Sequence, residues 1–339
     1  MLYVTTRNQI DVFTAEYPLR NRRDPDGGLY YPFHTPHFTG EEIEALKDIS
    51  INQCMADMLK RMFGVSLSSW DMDFCIGRYP VRLTELEQRL SVCEPWHNSG
   101  KDIRNMVEQI GKRIGSSHTE GWVEMAVRIA VLFGLYGEMR RKGILDRGEV
   151  FDLAVLSGSF MEPMSAWYAK QWGLPLGKII CCCNENNTVW NLICQGELPT
   201  DRTAQETCVP TADIVLPEEL ERLVASCGDT WEMEHYLGCC GTGKPYCPEE
   251  PILWTMREHL YISVVGSQRI KETVAGVYKA SGYLFSPESA LVYSGLQYYR
   301  SGKEQLRNAV VMTNRSPALD AAFIADALGI PEEKLRRQL

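Results

Sequence analysis

The 339-residue chain has no lysine- or arginine-rich run, and its 35 basic residues are outnumbered by 44 acidic ones, giving a formal charge of −9. A nucleic-acid partner is therefore not expected, because phosphate binding needs a basic face. No apolar stretch approaches the ~18 residues that a membrane helix requires. The first residues, Leu2, Tyr3 and Val4, read as a strand rather than as a basic and then apolar leader. There is no internal repeat and no low-complexity tract. Twelve cysteines are present, but they lack the spacing of a disulfide framework. Cys181, Cys182 and Cys183 are consecutive at the end of an apolar run, and Cys75, Cys93 and Cys194 sit among apolar residues. This placement predicts a reduced, cytoplasmic protein that uses cysteine as a small apolar side chain.

What is there is an ordinary globular composition, 45% hydrophobic and long enough for two domains. A strand over 2–6 leads to a helical pattern over 10–17 and a turn-rich Asp24-Pro25-Asp26-Gly27-Gly28. Helical spacing over 52–63 puts Met55, Met58, Leu59 and Met62 on one face. The segment 80–94 predicts a helix and then a short strand over 90–93. Two helices follow over 102–142, broken at Gly115-Ser116-Ser117. The second is apolar nearly all round, which predicts burial. A strand over 150–156, a helix over 163–172 ending at Gly173, and a strand over 178–183 follow. Helices are expected over 217–225, 251–260, 267–281 and 289–298, then a strand over 309–313 and a terminal helix. This order predicts an α/β protein with a mostly parallel sheet, whose ligands sit beyond the strand carboxyl ends.

Four ordered stretches carry a family resemblance. Thr6-Arg7 precedes Asp26-Gly27-Gly28-Leu29-Tyr30-Tyr31-Pro32. Ser157-Gly158-Ser159-Phe160 is followed by Ala169-Lys170, Gly173-Leu174-Pro175, Asn184-Glu185-Asn186-Asn187 and Gly196-Glu197. Gly282-Tyr283-Leu284 leads to Ser286-Pro287-Glu288-Ser289-Ala290 and Tyr293, and Met312-Thr313-Asn314 precedes Pro317. The series resembles the threonine synthases over nearly the whole chain. Their motifs D-G-G-L-[YF]-x-P, S-G-N-F-G-N, D-P-H-T-A and S-T-A-H-P occur in this order.

That resemblance implies a tryptophan-synthase β-like fold and pyridoxal phosphate chemistry converting O-phosphohomoserine to threonine, with the cofactor as electron sink. It implies an N-terminal domain over 1–92 and a large domain over 93–339. It further implies Lys101 as the imine-forming lysine, with Ser157, Gly158, Ser159, Phe160, Asn184 and Thr313 around the cofactor. The sequence departs from the family at several of these points. Glu94-Pro95-Trp96-His97 and Lys101-Asp102 fit the family's lysine motif only if three residues are missing between them. Met161 stands at the family's second glycine, with Glu162 beside it. A carboxylate about 5 Å from the phosphate would repel it by roughly 3 kcal/mol per unit charge at an effective dielectric near 20. Glu162-Pro163 also reads simply as a good helix start. The family's late histidines are here Glu288 and Asn314 or Arg315. The small mobile domain, which follows the lysine in the family, is reduced to the stretch 103–122.

His235, Cys239, Cys240 and Cys247 lie close together but lack the spacing of a zinc knuckle, so no metal is expected. Gly241-Thr242-Gly243-Lys244 lacks the full phosphate-loop pattern. Two readings of function remain. One is a threonine-synthase-like protein with eroded cofactor and substrate sites, binding a small amino-acid-like ligand or a partner. The other is an active pyridoxal-phosphate lyase acting on O-phosphohomoserine or a related amino acid, alone or with a partner chain. The enzyme reading requires Lys101 to point into the cleft of Gly158–Met161. The binding reading expects a side-chain-filled cleft, with the residues after Lys101 packed over it. A face vacated by the small domain predicts a homo-oligomer or a partner chain.

Overall fold

The structure is a computed structural model that describes residues 1–98 and 100–337. It opens with a three-stranded antiparallel sheet, β1 (Leu2–Thr5) between β2 (Phe13–Thr14) and β3 (Tyr30–Pro32). The Thr-Arg and D-G-G-L segments meet at its edge. Thr6 N donates to the Leu29 carbonyl at 3.0 Å, and Leu29 N returns a bond to the Thr6 hydroxyl at 2.9 Å. Arg7 Nη1 donates to the Asp26 carbonyl at 2.8 Å. A Cβ on Gly27 would lie 2.6 Å from Arg7 Nη1, and its φ of +87° is one that side chains resist. Glycine there serves packing. Arg7 also forks onto Glu221 at 3.0 and 3.1 Å, and Glu221 accepts the Thr6 hydroxyl as well. This motif clasps the amino-terminal sheet to the helix Leu220–Cys227.

The main sheet has six strands in the order β4-β5-β9-β6-β7-β8. These are β4 (Arg82–Glu87), β5 (Leu90–Glu94), β6 (Phe151–Leu156), β7 (Leu176–Cys183), β8 (Leu260–Val264) and β9 (Ala309–Met312). All neighbours pair in parallel except the edge hairpin β4–β5. The mostly parallel α/β architecture expected from the sequence is therefore present. Strand residues alternate between two cores. Leu153, Val155, Ile179, Cys181 and Cys183 face one, and Ala154, Leu156, Ile180 and Cys182 face the other. The three consecutive cysteines are thus sheet residues with buried thiols, and burial raises Cys181 and Cys182 well above the ordinary thiol range.

The helices Ile51–Phe63, Trp122–Arg141 and Met161–Gln171 contribute to the first core. The expected methionine face of Ile51–Phe63 is buried. Gly137 lets the short 3-10 helix Leu46–Asp48 pass, since a Cβ there would lie 2.5 Å from the Leu46 carbonyl oxygen. Ser267–Ser281, Pro287–Arg300 and Ala321–Leu328 contribute to the second.

Three local expectations are corrected, and one segment without a secondary-structure expectation proves helical. The helix expected within 80–94 is the edge strand β4, whose burial pattern shows no apolar face for periodicity to detect. The 10–17 pattern splits into β2 and a short helix, Glu16–Arg20. The glycine-rich segment around Gly238 and Gly241 is the end of a helix, Thr230–Thr242, with both glycines facing open space. The helix expected over 251–260 ends at His259, and Leu260 begins β8.

Candidate functional site at the strand carboxyl ends

A cleft of about 420 Å³ opens beyond the carboxyl ends of β6 and β9. One wall is the turn from β6 into the helix Met161–Gln171. Ser157 N donates to the Cys182 carbonyl at 2.8 Å, fixing the turn to β7. Gly158 and Phe160 both take left-handed backbone, with φ of +39° and +68°. A phenylalanine there is uncommon. Its fully buried ring, and the 2.6 Å bond from its N–H to the Ser157 carbonyl, hold it in place. Ser159 is exposed, and its carbonyl accepts from Glu219 N at 3.1 Å. The carbonyl of Thr211 closes over the loop, 3.0 Å from where a Cβ on Gly158 would sit.

The opposite wall comes from the chain after Lys101. Ile103 N donates to the Asn314 carbonyl at 2.8 Å, and Ser316 N donates to the Lys101 carbonyl at 2.7 Å. Asp102 and Arg315 form a bridge between them. Asp102 then caps the helix Ile103–Arg113 by accepting from Arg104 N at 2.9 Å. Asp102, Ile103, Arg104 and Val107 line the cleft. Lys101 is exposed, and among the described residues the lining contains no lysine.

Between the walls lies a connected charge network. Asn314 Nδ2 lies 2.6 Å from Glu162 Oε1 and 2.8 Å from Glu288 Oε1. Its amide oxygen accepts from Arg128 Nη1 at 3.2 Å. Arg128 pairs with Glu124 at 2.8 Å and stands 3.7 Å from Glu162. The second Glu162 oxygen accepts from Leu156 N at 3.3 Å, and that of Glu288 from the Thr211 hydroxyl at 2.7 Å. Burial pushes the Glu162 carboxyl up to about 7; Arg128 opposes the shift and Glu288 adds to it. Burial alone would lower Arg128, but Glu124 and Glu162 hold it above its ordinary value. Among the described residues, seven carboxylate residues and four arginines line the cleft. This arrangement holds charges of both signs in place and leaves the Glu162 proton exchangeable near neutral pH.

Ser157, Gly158 and Ser159 line the cleft, while Phe160 lies beneath it in the core. Thr313 is turned away. Its hydroxyl donates to the Cys93 carbonyl at 2.9 Å and accepts from Trp96 Nε1 at 3.1 Å. Asn184 is buried in a separate network, donating to Thr207 at 2.8 Å and to Asp213 at 2.6 Å. Neither belongs to the cleft lining. Glu124, Arg128 and Thr211 escaped the sequence reading. The detectable signal was Glu124 and Arg128 one turn apart in the otherwise apolar stretch 122–137. His235, Cys239 and Cys240 lie on the helix Thr230–Thr242, and among the described residues no group of three or more side chains is arranged to hold a metal.

No protein-family model matches the sequence. Human threonine synthase-like 1 is 22% identical over 187 residues, covering 54% of this chain and 25% of that protein. Threonine synthase of Pseudomonas aeruginosa is 24% identical over 183 residues, covering 53% and 38%. The matched segment thus spans a quarter to two fifths of these curated relatives. The structure of threonine synthase from Brucella melitensis, solved with pyridoxal phosphate bound, superposes with a TM-score of 0.84 at 17% identity, covering 97% of this chain and 92% of that one. This likeness establishes the fold. The chain is thus similar in sequence to threonine synthases and threonine synthase-like proteins over about half of its length, and it shares the threonine synthase fold over nearly all of it.

Proposed function

We propose that the chain is a non-catalytic, threonine-synthase-like binding protein whose cofactor site has become a pre-filled polar cleft for a small zwitterionic ligand. The observation that carries this reading is the single Asn314 amide shared by Glu162 and Glu288 beside the Ser157–Met161 turn. Pyridoxal phosphate brings a near-dianionic group that needs converging N–H donors. Here it would meet two carboxylates and the Thr211 carbonyl. The lysine expected to form an imine lies on the surface, outside the lining. The residues present do not fit the cofactor. Arginines beside carboxylates suit an amino-acid-like ligand carrying both charges.

The loss of the small mobile domain is part of the same proposal. Between Lys101 and the helix Trp122–Arg141 the chain forms one helix, Ile103–Arg113, and a turn. The neighbouring helix Ser69–Ile76 leaves Trp70 and Phe74 stacked with ring centroids 6.0 Å apart, exposed by 69% and 77%. Asp71 on that helix is ion-paired to Arg113. This face is where a second chain would dock, and a strictly monomeric protein in sedimentation would count against it.

The test is a pyridoxal phosphate titration of the purified chain, followed by borohydride reduction and mapping of labelled lysines by mass spectrometry. The expected result is no visible imine band, with labelling scattered over surface lysines. Stoichiometric labelling at Lys101 would overturn the proposal and restore the lyase reading.

A further inference from the structure

A second cavity, of about 900 Å³, lies at the opposite edge of the sheet, where the parallel strands begin. Its walls come from the β4–β5 turn, the starts of β6 and β7, and the segment joining the helix Pro287–Arg300 to β9. Arg89, Lys178, Arg300, Lys303 and Arg307 all line it, in a chain whose formal charge is −9. Ordinary structural duties account for some of these contacts. Lys178 Nζ donates to the carbonyls of Arg257 and Glu258 at 2.7 and 2.6 Å, at the end of the helix Glu250–His259. Arg300 donates to the carbonyls of Arg89 and Arg307 at 2.6 and 2.9 Å, and Arg89 donates to that of Leu306 at 3.0 Å. Lys303 sits 3.3 Å from the centre of the Tyr299 ring.

These partners satisfy hydrogen bonds but carry no negative charge. Among the described residues, the one ion pair in the cavity joins Arg307 to Asp152, at 3.7 Å. Two further acids, Glu149 and Glu304, line the cavity, so its five cations outnumber its three carboxylates. Glu149 already accepts from Asn308 at 2.8 Å and from Asp146 N at 2.8 Å, and Glu304 forms no ion pair among the described residues. Lys178 and Lys303 are both lowered by burial; Glu258 opposes this at Lys178 and Asp152 at Lys303, while the neighbouring cations Lys303 and Arg307 add to it. Gly177 leaves room for the Asp152 and Arg307 side chains. A Cβ there would lie 2.3 Å from Asp152 Oδ1 and 2.9 Å from Arg307 Nη1.

We propose that this cavity binds a small multivalent oxyanion of the pyrophosphate class, held by Arg89, Lys178, Arg300, Lys303 and Arg307. Guanidinium forks and ammonium groups supply charge-assisted donors to such oxygens. A half-open basin with its cations gathered in one place suits a compact anion better than a polynucleotide, which needs a continuous basic track.

The test uses the whole protein at fixed ionic strength. Calorimetric titration with inorganic pyrophosphate is expected to show saturable one-to-one binding, tighter than sulfate at equal concentration. Lys303 and Arg307 are exposed, so Lys303→Glu and Arg307→Ala leave the core intact. Arg307→Ala is expected to weaken pyrophosphate binding about tenfold, the loss of one charge-assisted contact, and Lys303→Glu, which also brings a like charge to the anion, by more than about tenfold. Arg315→Ala, in the other cleft, is expected to leave it unchanged. The proposal is overturned by absence of saturable binding, by binding insensitive to Lys303→Glu and Arg307→Ala, or by binding lost instead in Arg315→Ala. A single-stranded oligonucleotide that outcompetes pyrophosphate would overturn it too, in favour of a nucleic-acid surface. None of these outcomes depends on the lysine labelling that tests the cleft.

Discussion

The Asn314 amide nitrogen lies 2.6 Å from a Glu162 oxygen, on a residue that shares its other proton with Glu288. Two buried carboxylates therefore depend on one neutral side chain, with Arg128 bonded to its amide oxygen. Replacing Asn314 with alanine would leave both acids short of a donor and their repulsion unscreened. Asn314→Ala is expected to destabilise the fold by ~2–4 kcal/mol, read from urea denaturation midpoints. A loss under ~0.5 kcal/mol, the usual range for surface changes, would mean that water replaces the amide freely.

The same network makes stability depend on pH. Burial raises Glu162 from its ordinary 4.5 to about 7. A carboxyl raised in the folded state holds its proton to higher pH than in the unfolded chain. Its contribution is fully present below its unfolded value and is lost as pH rises through about 7. Glu162→Gln fixes the neutral form. It is expected to gain ~1–3 kcal/mol at pH 8 relative to the parent and little at pH 4, allowing for coupling to Glu288 and Arg128. Urea melts of both proteins at the two pH values test this. An unchanged pH profile in the variant would assign the titration to another group.

Much of this was legible in the chain. The apolar helix Trp122–Arg141 and the buried strands of the parallel sheet have patterns that tertiary context reinforces. The turn into Met161–Gln171 was legible because its glycine and its serines have few other uses. The edge strand β4 was not, since its side chains are partly exposed along its length and only pairing with β5 makes it a strand. The network around Asn314 was only half visible. Glu162, Glu288 and Asn314 stand out against the family motifs. Arg128 and Thr211 join them from distant segments, and no local pattern reports that meeting.

The clasp at Glu221 gives a contrast between buried and exposed charge. Glu221 is nearly buried and receives Arg7 at 3.0 Å together with the Thr6 hydroxyl. Glu221→Ala strips a partly buried guanidinium and a buried hydroxyl of their acceptor, so it is expected to cost ~2–4 kcal/mol. Arg22, paired with Glu120 and Glu218 at 2.8 and 2.5 Å, is far more exposed. Arg22→Ala is expected to cost under ~1 kcal/mol despite its two pairs. Equal losses in denaturation would show that the amino-terminal sheet does not dock through Glu221.

Lys101 and Arg315 sit on neighbouring segments held together by backbone hydrogen bonds, yet they differ in what their side chains reach. Arg315 lines the cleft and pairs with Asp320 at 3.3 Å. Lys101 contributes its carbonyl to Ser316 and leaves its side chain in solvent. Truncating an exposed side chain that lies outside a site changes neither packing nor ligand contacts. Lys101→Ala is therefore expected to shift stability by less than ~0.5 kcal/mol. In calorimetric titrations with small amino acids, Arg315→Ala is expected to weaken the ligand that the parent binds by about tenfold, the loss of one charge-assisted contact, while Lys101→Ala leaves it within twofold. The reverse pattern would place the lysine in the cleft in solution, and with it the imine chemistry that the cleft's own carboxylates oppose.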